Sequence, residues 1–349
     1  MKVIVDTKIP YIKGIIERLA DEVVYAEGGE FDSRLVRDAD ALIVRTRTRC
    51  DRRLLEGSRV RFIATATIGF DHIDTDYCRQ AGITWANAPG CNSGGVEQYV
   101  HSAFLLLERD RGLRLQGACL GVVGVGHVGS RVVRVGRSLG MRVLQCDPPR
   151  AEQEGGADFC SLEEIARTCD IITFHTPLTR SGAHPTWHLA GSSFFSSLPR
   201  HPYLLNTSRG EVVDNEALLD ALKRGRVADA VLDVWENEPN INLSLLNEVF
   251  IGTPHIAGYS GDGKANATRM ALQAYCRFFD LSEDFHIEPP APETPVIHAD
   301  SEADALLQIY NPLTDSLRLK ADPDAFESLR GNYHYRREAG AYTIVLPRQ

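Results

Sequence analysis

The stretch Gly124-Val125-Gly126-His127-Val128-Gly129 limits what this chain folds into more than any other. Ala118 to Val123 before it reads as a buried strand, and Ser130 to Leu139 after it reads as a helix. Glycines at this spacing serve a purely structural turn as well. In strand-turn-helix order, however, each has its own task. Gly124 permits the tight turn, Gly126 lets the backbone approach a pyrophosphate, and Gly129 lets the helix pack closely. The phosphate charge would meet unpaired N–H groups at the helix start. The next strand, Met141 to Cys146, ends in Asp147. A carboxylate about 20 residues beyond the glycines hydrogen-bonds an adenine-ribose 2'-hydroxyl and repels a 2'-phosphate. NAD is therefore expected rather than NADP, with neighbouring Arg150 arguing the other way.

Short apolar runs followed by polar loops recur along the chain. Val3-Ile4-Val5, Ala41 to Val44, Val60 to Ala64 and Ile83 to Ala86 suggest a first α/β unit, with a helix from Ile12 to Leu19. A long helix near Gly95 to Arg109 reads as a connector. After the glycine turn, strands are expected at 170–174, 203–206, 228–234 and 250–251, each leading into a polar loop. In an open parallel sheet those carboxyl-end loops form the ligand crevice.

Three loop residues have the chemistry for hydride exchange with a hydroxyacid. Arg209 is suited to clamp a carboxylate and steady a developing alkoxide. His255 is suited to take and return the hydroxyl proton, and a paired Glu238 would orient its ring and favour imidazolium. Bland readings stand beside these. Arg209 next to Gly210 also suits a solvated turn, Glu238 before Pro239 a helix cap, and His255 a loop hydrogen bond. His175 reads equally as a nicotinamide contact or a loop organiser.

Five segments carry a resemblance: the glycine turn, His175-Thr176-Pro177-Leu178, Asn206-Thr207-Ser208-Arg209-Gly210, Asp233 to Pro239, and Thr253 to Tyr259. With them the chain resembles the D-isomer-specific 2-hydroxyacid dehydrogenase family up to about residue 285. The resemblance implies catalytic roles for Arg209, Glu238 and His255. It implies coenzyme contacts at Gly124, Gly126, His127, Val128, Gly129, Asp147, Thr176, Thr207, Ser208, Arg209, Asp233 and Gly258. Cys146 to Arg150, Ala88 to Asn92 and the tail resemble a narrower group of that family acting on a phosphorylated four-carbon hydroxyacid. On that basis Thr46, Thr67 and Tyr259 are expected to contact substrate. Arg45 and Arg47, beside a first-domain strand end, are candidates for its phosphate, with Arg45 favoured; Arg336 and Arg337 are weaker candidates that equally suit the dimer interface, and Arg45 to Arg49 also reads as general surface charge. A phosphoglycerate dehydrogenase or hydroxypyruvate reductase is the enzymatic alternative. An NAD-sensing protein-binding module is the non-enzymatic one.

The expected fold class is α/β: two Rossmann-like domains plus a small α+β C-terminal dimerisation domain. The family's discontinuous arrangement implies a substrate domain from 1–95 and 261–285, a NAD-binding domain at 96–260 and a dimerisation domain at 286–349. The tail is small for an independent core, so docking on a partner is expected to bury it, giving a homodimer. A net charge of -9 disfavours a general grip on nucleic acid. No apolar run is long enough to span a membrane, and the opening residues lead straight into a strand, so a cytoplasmic chain is expected. The eight cysteines are dispersed and read as reduced thiols; no metal site is expected.

Overall fold

The computed structural model describes residues 1–347. Its contacts divide the chain into two units, the first comprising 1–92 and 260–291, the second 93–259 and the segment from 292 onward.

The first unit holds five parallel strands: β1 (Lys2–Asp6), β2 (Glu22–Ala26), β3 (Ala41–Val44), β4 (Phe62–Thr65) and β5 (Thr84–Ala86), in the order β2-β1-β3-β4-β5. β3 and β4 are buried throughout, as their unbroken apolar runs require of strands covered on both faces. The chain returns through the helix Gly261–Phe279, whose Ala271, Leu272 and Tyr275 join Val3, Ile43 and Phe62 in one core. The helix expected from Ile12 to Leu19 is reduced to a single 3-10 turn, Ile16–Arg18. Ile12 and Ile16 are buried as their spacing implies. The backbone at Tyr11 (φ 61°) and Gly14 (φ 84°) is left-handed, which no α-helix accommodates.

The second unit contains six parallel strands: β6 (Cys119–Val123), β7 (Arg142–Cys146), β8 (Ile171–Phe174), β9 (Tyr203–Asn206), β10 (Asp229–Leu232) and β11 (Ile251–Gly252). Their order is β11-β10-β9-β8-β6-β7. Alternate residues enter opposite cores, as a period of two dictates. Leu120, Val122, Ile171, Leu205 and Val231 lie on one face with Tyr99, Phe104 and Leu107 of the helix Ser93–Arg111. Phe174, Leu204, Leu232 and Trp235 lie on the other.

Register positions the loops. Cys146 pairs with Val123, Val123 with Phe174, Phe174 with Asn206, Asn206 with Leu232, and Leu232 with Gly252. The residues that follow this row, Asp147, Gly124, His175, Thr207, Asp233 and Thr253, therefore all leave from one edge. The glycine turn starts where the chain goes from β6 to β7 on one side while β8 lies on the other, the topological switch point at which open α/β sheets bind ligands.

The tail forms a two-stranded parallel sheet, β12 (Val296–His298) with β13 (Thr343–Val345), and the helices Glu302–Ile309, Pro312–Ala321 and Phe326–Gly331. Only the first of these helices is legible as an amphipathic pattern. Tyr310 enters one core of the second unit, and Leu319 and Phe326 enter the other. The burial expected from a partner is thus supplied in part by the same unit. All eight cysteines are free thiols and seven are buried.

Candidate active site

The three glycines of the turn differ in what they exclude. A Cβ at Gly124 (φ 84°) would lie 2.7 Å from the His175 carbonyl oxygen, and one at Gly129 would lie 1.9 Å from that of Gly124. Those two are required by packing. A Cβ at Gly126 would meet nothing within 4 Å, so protein packing does not explain the glycine. Gly126 is also the N-cap of the helix His127–Ser138, with no side-chain cap. Against Gly124, at the start of the same turn, the buried Thr176 hydroxyl has no hydrogen-bond partner among the described residues. Open space at an uncapped helix start, with an orphaned hydroxyl at the other end of the turn, fits a dinucleotide pyrophosphate.

Asp147 is held by two backbone groups, Val125 N–H at 2.8 Å and Arg150 N–H at 3.1 Å. Arg150 itself donates to both Glu154 oxygens at 2.8 Å and to the Val125 carbonyl at 2.6 Å. Its charge is committed locally, which leaves Asp147 to set the choice between a ribose hydroxyl and a phosphate.

Two residues from the coenzyme-side loops prove to be organisers. His175 hydrogen-bonds Thr173 Oγ1 through Nε2 at 2.8 Å and Thr207 Oγ1 through Nδ1 at 3.3 Å. Burial pushes its pKa down to about 3, so it is a neutral bridge between the β8 and β9 loops. Asp233 accepts from Thr253 Oγ1 at 2.7 Å, Ile256 N–H at 2.8 Å and Ala257 N–H at 2.9 Å. Its side chain therefore sets the loop that carries His255. Burial still pushes its pKa upward, against His255 and those hydrogen bonds.

Around Arg209 the loops are tightly fitted. Asn206 donates to the Arg209 carbonyl at 2.8 Å and accepts from Ser208 Oγ at 2.8 Å. A Cβ at Gly210 would lie 1.9 Å from the Trp235 carbonyl, so the β9 and β10 loops press together at a point only glycine permits. Arg209 follows exposed, its Nη1 donating to the Ser208 carbonyl at 2.7 Å.

His255 sits in a left-handed conformation (φ 57°), and its Nδ1 lies 2.8 Å from Glu238 Oε2. Strained backbone held by surrounding hydrogen bonds is common where function fixes a side chain. The other Glu238 oxygen accepts from Trp235 N–H at 2.9 Å. Burial works against the carboxylate, yet the His255 hydrogen bond and charge, Trp235 N–H and Arg330 outweigh it and hold the Glu238 pKa below its ordinary value. Glu238 is thus a fixed anion behind an imidazole, leaving Nε2 for chemistry.

Two tail arginines reach these loops, and only one was foreseen. Arg336 is buried; it donates to the carbonyls of Gly95, Ile256, Ala257 and Tyr259 and to Gln98 Oε1. Its guanidinium lies 3.8 Å from the Tyr310 ring centroid. The weak expectation of a phosphate contact is overturned: the donors are spent bracing the His255 loop. Arg330, which no motif distinguishes, lies 3.9 Å from Glu238 Oε2 and donates to Tyr259 Oη at 3.3 Å.

In the first unit Arg45 donates to the Lys8 carbonyl at 3.0 Å, and Thr46 is exposed in the same loop. Thr67 Oγ1 is 2.6 Å from Thr65 Oγ1 and donates to Gly69 O. His188, Asp214 and Glu236 are close enough to share a cation, but hydrogen bonds account for them: His188 Nε2 lies 2.7 Å from Glu236, and Asp214 caps a helix.

A family model described as "D-isomer specific 2-hydroxyacid dehydrogenase, NAD binding domain" matches residues 96–257. An erythronate-4-phosphate dehydrogenase of Bacteroides thetaiotaomicron is 59% identical over 345 residues, 99% of each chain. One from Porphyromonas gingivalis is 43% identical, over 99% of this chain and 95% of its own. Among solved structures, Aquifex aeolicus D-lactate dehydrogenase complexed with NAD and lactic acid is similar with a TM-score of 0.63 and 26% identity. The match covers 80% of this chain and 96% of that one.

Proposed function

Because the chain belongs to the erythronate-4-phosphate dehydrogenases, within the D-isomer-specific 2-hydroxyacid dehydrogenase family, we propose that His255 and Glu238 serve NAD-dependent oxidation of 4-phospho-D-erythronate. The product is 2-oxo-3-hydroxy-4-phosphobutanoate, on the route to pyridoxal 5'-phosphate. The observation that carries the assignment of roles is the 2.8 Å His255–Glu238 contact, on the same sheet edge as the open Gly126 cradle.

NAD, when bound, supplies the hydride acceptor. The coenzyme is assigned to Gly124, Gly126, His127, Val128, Gly129, Asp147, Thr176, Thr207, Ser208 and Gly258, with Asp233 supporting the site through the loop it organises. His255 Nε2 takes the C2 hydroxyl proton as the carbonyl forms, and Glu238 stabilises the resulting imidazolium. Arg209 pairs with the substrate carboxylate and steadies the developing oxygen charge. Arg45, Thr46, Thr67 and Tyr259 are assigned to the rest of the substrate.

We assign residues 1–92 and 260–291 to substrate capture, and the tail to homodimer formation. Exposed apolar tail residues support the latter: Val296, Leu317, Val345 and Leu346 are 40% or more exposed. Among the described residues no helix is long and apolar enough to cross a membrane, and we place the enzyme in the cytoplasm.

The test is NADH formation by purified protein offered 4-phospho-D-erythronate, 3-phospho-D-glycerate and D-glycerate. A clear kcat/KM preference for the first is expected. Equal or better use of 3-phospho-D-glycerate would contradict the substrate assignment, and NAD binding without turnover of any acid would favour a sensing role.

A further inference from the structure

The two tail arginines that reach the His255 loop are in opposite states. Arg336 is buried, and every nitrogen of its guanidinium has a protein acceptor. Arg330 is also largely withdrawn from solvent, with 31% of its side chain exposed. Its ion contacts, to Glu238 Oε2 and Glu327 Oε1, are both 3.9 Å long, and its hydrogen bond to Tyr259 Oη is 3.3 Å. A guanidinium of this kind normally forms short, forked bonds to a carboxylate or phosphate, and a partly desolvated one gains most from such a partner. Glu238 meets it only at long range: its Oε2, which also receives His255 Nδ1, lies 3.9 Å away, beyond hydrogen-bond distance.

The surroundings indicate which anion would complete it. Arg330 is one carboxylate away from the imidazole that takes the C2 proton, and beside the hydroxyl of Tyr259. Arg209, on the β9 loop, is the cation assigned to the reacting carboxylate. In a four-carbon acid oxidised at C2, the C4 phosphate lies a few bonds beyond the reacting carbon, each ~1.5 Å long. The phosphate therefore needs a second cation, separate from the carboxylate clamp. Resting on the substrate reading above, we propose that Arg330 is that cation: a specificity-determining residue that binds the substrate phosphate, with the Tyr259 hydroxyl beside it.

The experiment compares kcat/KM for 4-phospho-D-erythronate and for unphosphorylated D-erythronate in wild type, Arg330→Ala, Arg330→Lys and Arg45→Ala. Inorganic phosphate serves as competitive inhibitor, and NADH binding checks the fold. Arg330→Ala is expected to lower efficiency with the phosphorylated acid by roughly 10- to 100-fold, the range of a hydrogen-bonded ion pair. It is expected to lower the ratio of the two efficiencies, phosphorylated over unphosphorylated, by roughly tenfold or more and to abolish phosphate inhibition. Arg330→Lys should lose part of the preference, because one ammonium replaces a fork. Should the alanine variant fail to bind NADH, the lysine variant decides by the same comparison.

Equal losses with both acids would overturn the assignment and leave Arg330 acting only through Glu238. So would collapse of the phosphate preference in Arg45→Ala but not at Arg330. A wild-type enzyme that ignores the phosphate fails differently, since it removes the substrate reading itself.

Discussion

The two parallel sheets are built alike, with β1 and β6 each flanked by the next two strands of its own sheet, yet their loop edges differ. In the second unit, buried or half-buried carboxylates tie loop to loop: Asp147 to Val125, Asp233 to Thr253 and Ile256, Glu238 to Trp235 and His255. In the first, the β3 loop carries Arg45, Thr46, Arg47 and Arg49, of which all but Arg45 are exposed. A shared strand order thus carries two kinds of edge. A cross-linked edge holds proton-transfer groups in fixed geometry before substrate arrives, which is where electrostatic catalysis draws its advantage. A cationic edge is suited to capturing an anion. Topology positions both edges; side-chain hydrogen bonding separates their chemistry.

The contrast breaks most visibly at Arg209. Arg209→Ala is expected to lower kcat/KM by roughly 10²–10³-fold, through both kcat and KM, in steady-state assays. Arg45→Ala, on the first unit's edge, should act mainly through KM. Equal loss of kcat in both variants would erase the distinction drawn between the edges.

Within the second edge, the glycines separate folding from binding. Gly129→Ala forces a Cβ onto the Gly124 carbonyl and should cost about 1–3 kcal/mol or more in denaturant unfolding. Gly126→Ala should leave stability within about 0.5 kcal/mol of wild type. It should nevertheless weaken NADH binding about tenfold, which is about 1.4 kcal/mol. A destabilised Gly126→Ala with unchanged NADH affinity would contradict the cradle. Asp147→Ala should reduce the NAD-over-NADP preference by roughly 10- to 100-fold, the range of a charged hydrogen bond.

The smallest effect concerns pH. Burial pushes the His175 pKa down to about 3 in the folded chain, below the ordinary histidine value of about 6.5. Its neutral form is therefore favoured by folding, and the unfolded chain binds more protons between those values. Its contribution is fully present above pH 6.5 and is lost as pH falls toward 3. Glu238, also depressed, adds in the same direction at the acid end of that window. Urea midpoints across this range should fall less steeply in His175→Gln; an unchanged slope would mean that His175 is not held neutral.

Much of this was legible in the sequence because strands covered on both faces are unbroken apolar runs and because Gly124 and Asp147 belong to one local motif. β2, Glu-Val-Val-Tyr-Ala at the sheet edge, was not, since its burial is partial and its pattern weak. The helix expected at 12–19 had correct apolar spacing, which cannot report the left-handed turns at Tyr11 and Gly14. Arg330 and the brace at Arg336 depend on a tail packing against loops more than 70 residues away in sequence, and no spacing rule encodes that. The use of Asp233 was similarly hidden: the motif marks the residue, while only the fold shows its oxygens turned to the His255 loop.

The central claim is that His255, held by Glu238, moves the proton when hydride leaves the substrate. Its most direct test is single-turnover NADH formation from 4-phospho-D-erythronate with saturating NAD, in wild type and in His255→Ala. A fall of roughly 10²–10⁴-fold in the variant, with NADH affinity unchanged, is predicted. Equal single-turnover rates would contradict it.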